Sequence, residues 1–192
     1  MNRTEIVNKV KIKMNEISPF DSSGDIVNNT FVDDLLNEST RTILLSAPKK
    51  ILPITKDDTT TSSDNGDGTG TITLPSNYLR FVELKMKQWK RSVTKLISVD
   101  SREYKKQFNK YTRGGTAKPK VAELGDELEY FSVKDDHSID YFKYVKNEVP
   151  ENLSNQNLLD AITWQCAGDC FIVLSEIEIA KTAFQKAAEH LK

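Results

Sequence analysis

The sequence predicts an α+β fold, in which a helical bundle with a long C-terminal helix carries a small, mostly antiparallel β insertion. Two observations carry this prediction. Apolar residues recur at three- and four-residue steps near both ends of the chain, whereas residues 71–145 show the period-two alternation of half-buried strands. A chain of 192 residues is long enough for one domain with such an insertion.

Two helices are predicted near the N-terminus. The first covers residues 3–17 and ends before Pro19 and the Ser22-Ser23-Gly24 segment. The second covers about residues 30–46, with acidic residues near its start and Pro48 beyond its end. The apolar residues that define the two patterns are Ile6, Val7, Val10, Met14 and Ile17, and then Phe31, Val32, Leu35, Leu36, Ile43 and Leu44.

The middle of the chain is predicted to be rich in strands. Residues 56–70 are polar and predict a loop or a hairpin tip. The tract 101–111 interrupts the strands with a helical pattern, and Ser101 is its expected N-cap. The predicted strands are residues 71–75, 81–87 with a continuation through 91–99, 121–124, 127–133 and 139–145.

The last part of the chain predicts one long amphipathic helix from residue 155 to 191, with a kink at Gly168. At 1.5 Å per residue this helix would measure about 55 Å, longer than a compact globule of this size accommodates. Its predicted buried stripe includes Ile177 and both cysteines, Cys166 and Cys170, which are expected to pack as small apolar groups.

These elements imply three regions. Residues 1–50 supply the N-terminal helices of the bundle, residues 51–150 form the β-rich insertion with its polar loop 56–70, and residues 151–192 complete the bundle. No apolar run approaches the roughly 18 residues that a membrane helix needs, and the N-terminus lacks the apolar core of a signal peptide. We therefore expect no membrane association and a protein that stays in the cytoplasm in which it is made.

The charge is distributed unevenly along the chain. The net charge is −1, yet residues 80–120 contain thirteen Lys and Arg against three Asp and Glu, a local charge of +10. The rest of the chain totals −11. This split indicates an anionic partner for the basic segment, pairing between unlike surfaces of neighbouring subunits, or a solvated basic face.

No catalytic, cofactor or metal site is predicted. The Asp64-Asn65-Gly66-Asp67-Gly68 stretch lacks both the first acidic ligand and the final glutamate of a calcium loop, so it predicts a glycine-rich turn. Two cysteines one helical turn apart offer only half of a zinc site. Neither histidine lies near a nucleophile signature. The chain is expected not to be an enzyme.

Residues 68–93, GTGTITLPSNYLRFVELKMKQWKRSV, resemble a pattern of phage head-to-tail adaptor proteins. The pattern consists of N-terminal helices, a turn-rich loop, a Leu-Pro-x-x-Tyr/Phe-Leu-Arg step into strands, a Trp followed by basic residues, and a closing amphipathic helix. The likeness spans most of the chain and is greatest to the neck ring proteins of short-tailed phages, including crAss-like ones.

The resemblance implies a structural virion protein located in the neck. It implies a homo-oligomeric, dodecameric ring that docks on the portal protein, contacts adjacent neck or tail proteins and lets double-stranded DNA pass through its lumen without sequence specificity. It also implies no cofactor.

We expect the interface to include Trp89, Lys90, Arg91, Lys105, Lys106 and Tyr111. The alternative is a nucleic-acid-binding accessory module that uses the basic segment 80–120, with Trp89, Tyr104 and Tyr111 as stacking platforms.

Overall fold

The computed structural model describes residues 1–17 and 28–192. Within them the chain forms two compact units, a helical unit of residues 1–53 and 147–192 and a β-rich unit of residues 54–146. The α+β prediction is confirmed, because the four longer helices and the antiparallel sheets lie in different parts of the chain. The helices are α1 (Arg3–Ile17), α2 (Asn29–Ser46), α3 (Arg102–Gln107), α4 (Gln156–Val173) and α5 (Ile177–His190), and the strands are β1 (Ile54–Asp57), β2 (Ser62–Asp64), β3 (Thr69–Thr73), β4 (Tyr78–Met86), β5 (Val121–Leu124), β6 (Glu127–Phe131) and β7 (Ile139–Lys146).

Both N-terminal helices have the predicted bounds to within one residue. In α1, Ile6, Val7, Val10 and Met14 form one fully buried face. The N-cap of α2 is Asn28, whose side-chain oxygen accepts a hydrogen bond of 2.8 Å from the backbone N–H of Phe31. The predicted stop signals at Pro19 and Ser22-Ser23-Gly24 lie outside the described residues.

The single long C-terminal helix is not formed. The chain reverses at Leu174-Ser175-Glu176, so that α4 and α5 make a helical hairpin. The backbone N–H of Ser175 donates to the carbonyl of Ile172 and that of Glu176 to the carbonyl of Phe171, with Ser175 in the left-handed conformation at φ 64°. This arrangement is a Schellman motif, which ends helices and usually has Gly where this chain has Ser175.

Gly168 does not kink a helix but allows the two arms of the hairpin to approach. A Cβ atom at Gly168 would lie only 2.3 Å from Cε1 of the Phe184 ring on α5. The missing side chain therefore leaves the space that the aromatic ring occupies. Ile177, predicted to be buried, is 57% exposed because it follows directly after the reversal.

Helix α4 is the centre of the helical unit. It packs against α1, α2 and α5, and its buried residues are spread around most of its circumference. Cys166 and Cys170 are buried and form no disulfide, as expected for cysteines that pack as small apolar groups. Burial and the neighbouring Cys170 raise the pKa of the Cys166 thiol well above its ordinary value, with the hydrogen bond to Cys170 as the largest cause.

The β-rich unit contains two antiparallel sheets, with strand orders β1-β7-β4 and β2-β3-β6-β5. Side chains from both sheets and from the segments between them share one core. Its members are Ile72, Phe81, Leu84, Met86, Trp89, Val93, Val121, Leu128, Tyr130, Val133, Phe142 and Tyr144. Burial of this set is the main source of stability for the unit.

Two predictions for the β-rich unit are corrected. Residues 91–99 do not form a strand, and only single bridges join Val93 to Leu84 and Ile97 to Ala122. The tract 56–70, predicted as a loop or a hairpin tip, does contain the tip of the β2–β3 hairpin, but it also contains the end of β1 and all of β2. The polar residues of β2 suit its position, because β2 is an edge strand of its sheet and is mostly exposed.

Helix α3 is shorter than predicted. Ser101 caps it as expected, since its hydroxyl accepts a hydrogen bond from the backbone N–H of Tyr104. The helix ends at Gln107, so that Tyr111 lies beyond it. Tyr104 and Phe108 pack edge-on against each other and against Phe131, with ring centroids 5.1–6.0 Å apart, and thereby attach α3 to β6.

The Schellman reversal generates a first prediction. Replacing Ser175 by Gly removes the steric cost of a left-handed residue with a side chain and should stabilise the helical unit by about 1 kcal/mol. Ser175→Ala, which keeps the Cβ atom, should give no gain. Urea unfolding of the full chain measures both, and equal effects of the two variants would contradict the assigned conformation.

The contact between Gly168 and Phe184 leads to a second prediction. Gly to Ala in an open helix position stabilises by about 1 kcal/mol, whereas Gly168→Ala should destabilise by about 1–3 kcal/mol because the new methyl overlaps the Phe184 ring. Combined with Phe184→Leu, the same Gly168→Ala change should become neutral or favourable. Additive effects in this double-mutant cycle would show that the two residues are not in contact.

Candidate functional site

The main candidate site is a groove in the β-rich unit with a volume of about 650 Å³. We call it the basic groove, since its lining contains five cationic side chains and one carboxylate. The lining residues are Arg91, Arg102, Glu103, Lys106, Gln107, Thr112, Gly114, Lys118, Pro119 and Lys120. The volume falls within the roughly 300–1,000 Å³ of typical ligand cavities.

Three segments bring these cations together. Arg102 and Lys106 are four residues apart on α3, so that they lie on the same helical face. Lys118 and Lys120 belong to the segment that leads into β5, and Arg91 follows the end of β4. All three segments lie between residues 91 and 120, and the core beneath them holds them side by side.

Among the described residues, only one of the groove's cations has a carboxylate partner. Nζ of Lys120 lies 2.7 Å from Glu103 Oε1. The hydrogen bond from Lys120, helped by the charges of Lys120, Lys106 and Lys95, lowers the pKa of the Glu103 carboxyl. Among the described residues, Arg91, Arg102, Lys106 and Lys118 have no carboxylate within 4.0 Å. The groove therefore has an unbalanced positive charge.

A buried acceptor also lines the groove. Gln107 is only 4% exposed, and its amide nitrogen donates a hydrogen bond to the backbone carbonyl of Glu103. The other amide atom, Oε1, is buried and has no hydrogen-bond partner among the described residues. Such an atom is costly unless a binding partner supplies a donor.

Arg113 has a structural role, although it belongs to the same basic segment. Its Nε donates to the backbone carbonyl of Gln107 at 2.6 Å and its Nη1 to that of Asp67 at 2.8 Å. The guanidinium thus links the segment after α3 to the turn of the β2–β3 hairpin through hydrogen bonds. The hydrogen bonds from Thr69 and the charge of Arg113 together lower the pKa of the Asp67 carboxyl.

The predicted interface residues have different positions. Trp89 is 2% exposed and belongs to the core, so its indole presents no face to a partner and cannot stack on a base. Arg91 and Lys106 line the basic groove. Lys90 and Lys105 are exposed but do not line it.

Tyr111 is the most exposed aromatic side chain of the predicted set, at 85%, with the ammonium of Lys110 5.1 Å from its ring. Sequence reasoning did not single out Arg102, Lys118 or Gln107. The positive charges of Arg102 and Lys118 were visible in the basic segment, but the convergence of all three residues depends on the tertiary structure.

A second surface has the opposite charge. The β5–β6 hairpin ends in residues 123–127, Glu-Leu-Gly-Asp-Glu, and all five are exposed. We call this segment the acidic hairpin. Its two-residue turn is Gly125-Asp126, in which Gly125 has φ 59°, and Leu124 is 51% exposed. Within the described residues, none of its three carboxylates forms an ion pair.

The cleft of about 500 Å³ beside β1 is acidic, but its carboxylates have partners. Asp57 accepts hydrogen bonds from the hydroxyl groups of Thr59 and Thr60, Lys56 pairs with Asp58 at 2.9 Å, and Lys85 pairs with Asp140 at 2.7 Å. The carboxylates therefore organise a turn and pair across strands instead of facing a ligand.

The other sequence candidates also have structural roles. In the calcium-like stretch, Asp64 and Asp67 accept hydrogen bonds from the backbone N–H groups of Gly66 and Thr69 within the turn. His137 lies between the Tyr130 hydroxyl, 2.7 Å from Nδ1, and Asp64, 3.2 Å from Nε2.

No group of three or more His, Cys, Asp or Glu in the described part of the chain is placed to hold a metal ion. In the same part, none of the helices has the length and apolarity to cross a membrane.

No protein-family model and no curated protein matches the chain.

The different roles of Arg113 and Arg91 lead to a third prediction. Arg113→Ala leaves two backbone carbonyls without their donor and should destabilise the β-rich unit by about 1–3 kcal/mol. Arg91→Ala, which removes an exposed side chain, should change stability by less than about 0.5 kcal/mol. Urea unfolding, with hydrogen exchange of the β3 and β6 amides to locate the change, distinguishes them. Equal losses would refute the structural role of Arg113.

Proposed function

We propose that this chain is a non-enzymatic structural protein of a tailed-phage virion and forms a ring in the neck, between portal and tail. Copies of the chain associate side by side, and double-stranded DNA passes through the lumen of the ring without sequence-specific contacts. The ring is dodecameric and contacts the portal protein and adjacent neck or tail proteins. The subunit is made in the host cytoplasm and ends in the virion neck.

The observation that carries this proposal is the unpaired charge of the basic groove. Four of the groove's cations have no carboxylate partner in the described part of the chain, and they repel each other in an isolated subunit because one groove holds them together. An oppositely charged surface of another molecule relieves this repulsion and gives the contact its register. The groove thus supports a role in association.

A protein partner suits the basic groove better than the DNA of a lumen. Each phosphate that a cation neutralises adds to the affinity for DNA and makes it depend on salt. A channel through which DNA must slide benefits from few such contacts. We therefore assign most of the exposed Lys and Arg, including Lys90 and Arg91, to contacts with a neighbouring subunit or with the portal.

The helical unit supplies a second surface that supports assembly. Ile172, Val173 and Ile177 are all exposed and flank the reversal between α4 and α5. Three large apolar side chains within six residues differ from the scattered single apolar residues of an ordinary surface. Burial against another chain would stabilise the assembly by removing them from water.

The proposed kind of assembly rests on the likeness of residues 68–93 to head-to-tail adaptors. In this chain the region comprises β3, β4 and the segment through Trp89 to Arg91, which borders the basic groove. The neck location, the portal partner and the passage of DNA come from this resemblance.

A nucleic-acid-binding accessory module is the second candidate, and one observation favours it. Tyr111 presents an almost fully exposed ring beside Lys110, a combination that can stack on a base and contact a phosphate. Such a module would bind oligonucleotides as a monomer, with an affinity that falls steeply with salt concentration.

The fourth prediction tests the proposed function. Purified wild-type chain should form a ring, observable by native mass spectrometry and electron microscopy. Changing both Lys90 and Arg91 to Glu should abolish ring formation or portal attachment because like charges then face each other, while circular dichroism remains that of the folded subunit.

The matched control changes Lys87 and Lys134 to Glu, which alters the net charge equally at exposed positions that do not line the basic groove. This control should assemble like wild type. If the Lys90 and Arg91 variant assembled normally and lost only oligonucleotide binding, the accessory module would replace the ring.

A further inference from the structure

We infer that the basic groove receives the acidic hairpin, residues 123–127, of the next copy of this chain. The inference rests on the proposed function, since it identifies the contact by which the ring would close. It assigns the groove a protein ligand with three carboxylates and one exposed apolar side chain.

The charges of the two surfaces are complementary. The groove contributes Arg91, Arg102, Lys106 and Lys118, which have no carboxylate within 4.0 Å in the described part of the chain. The hairpin contributes Glu123, Asp126 and Glu127, which form no ion pairs in the same described part of the chain. The Tyr78 hydroxyl donates a hydrogen bond of 2.8 Å to Glu123. Each surface therefore lacks what the other supplies.

The shape of the hairpin suits insertion into a groove. A two-residue turn with Gly125 at φ 59° gives a narrow tip whose conformation is set before binding, so little entropy is lost on docking. Leu124 is exposed at this tip and can exclude water from the contact.

A chain cannot insert its acidic hairpin into its own groove. Lys118 and Lys120 precede the first residue of β5, and Gly125 follows the last. At about 3.4 Å per residue the strand holds Lys120 and Gly125 roughly 17 Å apart. Pairing of β5 with β6 keeps this strand extended.

The separation of the two surfaces determines the type of assembly. A contact between different surfaces of identical subunits is heterologous, and its repetition gives a closed ring or an open filament. The basic groove near the start of β5 and the acidic hairpin after its end are thus the two different surfaces that meet in a head-to-tail contact. This is the type of contact that the proposed ring requires.

Charge reversal tests the inference on the full-length chain. The groove variant carries Arg102→Glu and Lys106→Glu, and the hairpin variant carries Asp126→Lys and Glu127→Lys. A second groove variant, Arg91→Glu with Lys118→Glu, covers the case in which changes on α3 unfold that short helix. Circular dichroism verifies folding, and native mass spectrometry measures assembly.

Each variant alone should lose the oligomer at concentrations at which wild type assembles. The groove variant no longer offers a positive surface to the acidic hairpin, and the hairpin variant presents positive charge to a positive groove. An equimolar mixture should associate again, because the unchanged hairpin of the groove variant then meets the unchanged groove of the hairpin variant. Wild-type assembly should weaken as salt is added.

Two results would overturn the inference while leaving the proposed function intact. They are wild-type assembly by each variant alone, and failure of the mixture to restore association. A wild-type chain that stays monomeric at every concentration would overturn the proposed function, and the pairing with it.

Discussion

The pairing of β6 with β3 on one side and β5 on the other is the constraint on which the proposed interaction surfaces depend. Through β5 it sets the distance between the segment that lines the basic groove and the acidic hairpin. The backbone N–H of Phe131 donates to the carbonyl of Lys120, so the groove wall is bonded to the same strand. Phe131 also packs against Tyr104 and Phe108 and attaches α3 there.

The charge of the basic segment is partitioned by tertiary structure into two classes. Arg113 and Lys120 are bound to groups of their own chain, and their positive charge stabilises the fold. Arg91, Arg102, Lys106 and Lys118 instead remain without a partner carboxylate among the described residues, which leaves mutual repulsion in the free subunit. An association that brings carboxylates to the second class gains more than an ordinary surface ion pair, because it also relieves this repulsion.

The helical unit is organised around the reversal between α4 and α5. A helix-ending motif at Ser175 folds α5 back along α4, and Gly168 lets the Phe184 ring approach the α4 backbone. The reversal leaves Ile172 and Ile177 exposed at its end. The features that shorten the helix are therefore the same features that create an apolar surface available to another chain.

The sequence by itself determined the α+β class, both N-terminal helices, the Ser101 cap and the approximate position of most strands. These features depend on local periodicity and on capping side chains, which neighbouring residues specify. The cysteine pair was also predictable, because a buried Cys behaves as a small apolar residue regardless of what packs against it. The basic character of residues 80–120 was visible for the same reason, since charge is a property of composition.

Only the tertiary structure decided where the last helix reverses, since Ser175 occupies a position at which Gly is the usual signal and the apolar steps continue across it. It also decided that Trp89 belongs to the core, because a tryptophan beside basic residues suits a core and an interface equally well. The convergence of Arg91, Arg102 and Lys118 has no sequence signature, since separate segments become neighbours only when both sheets pack around one core.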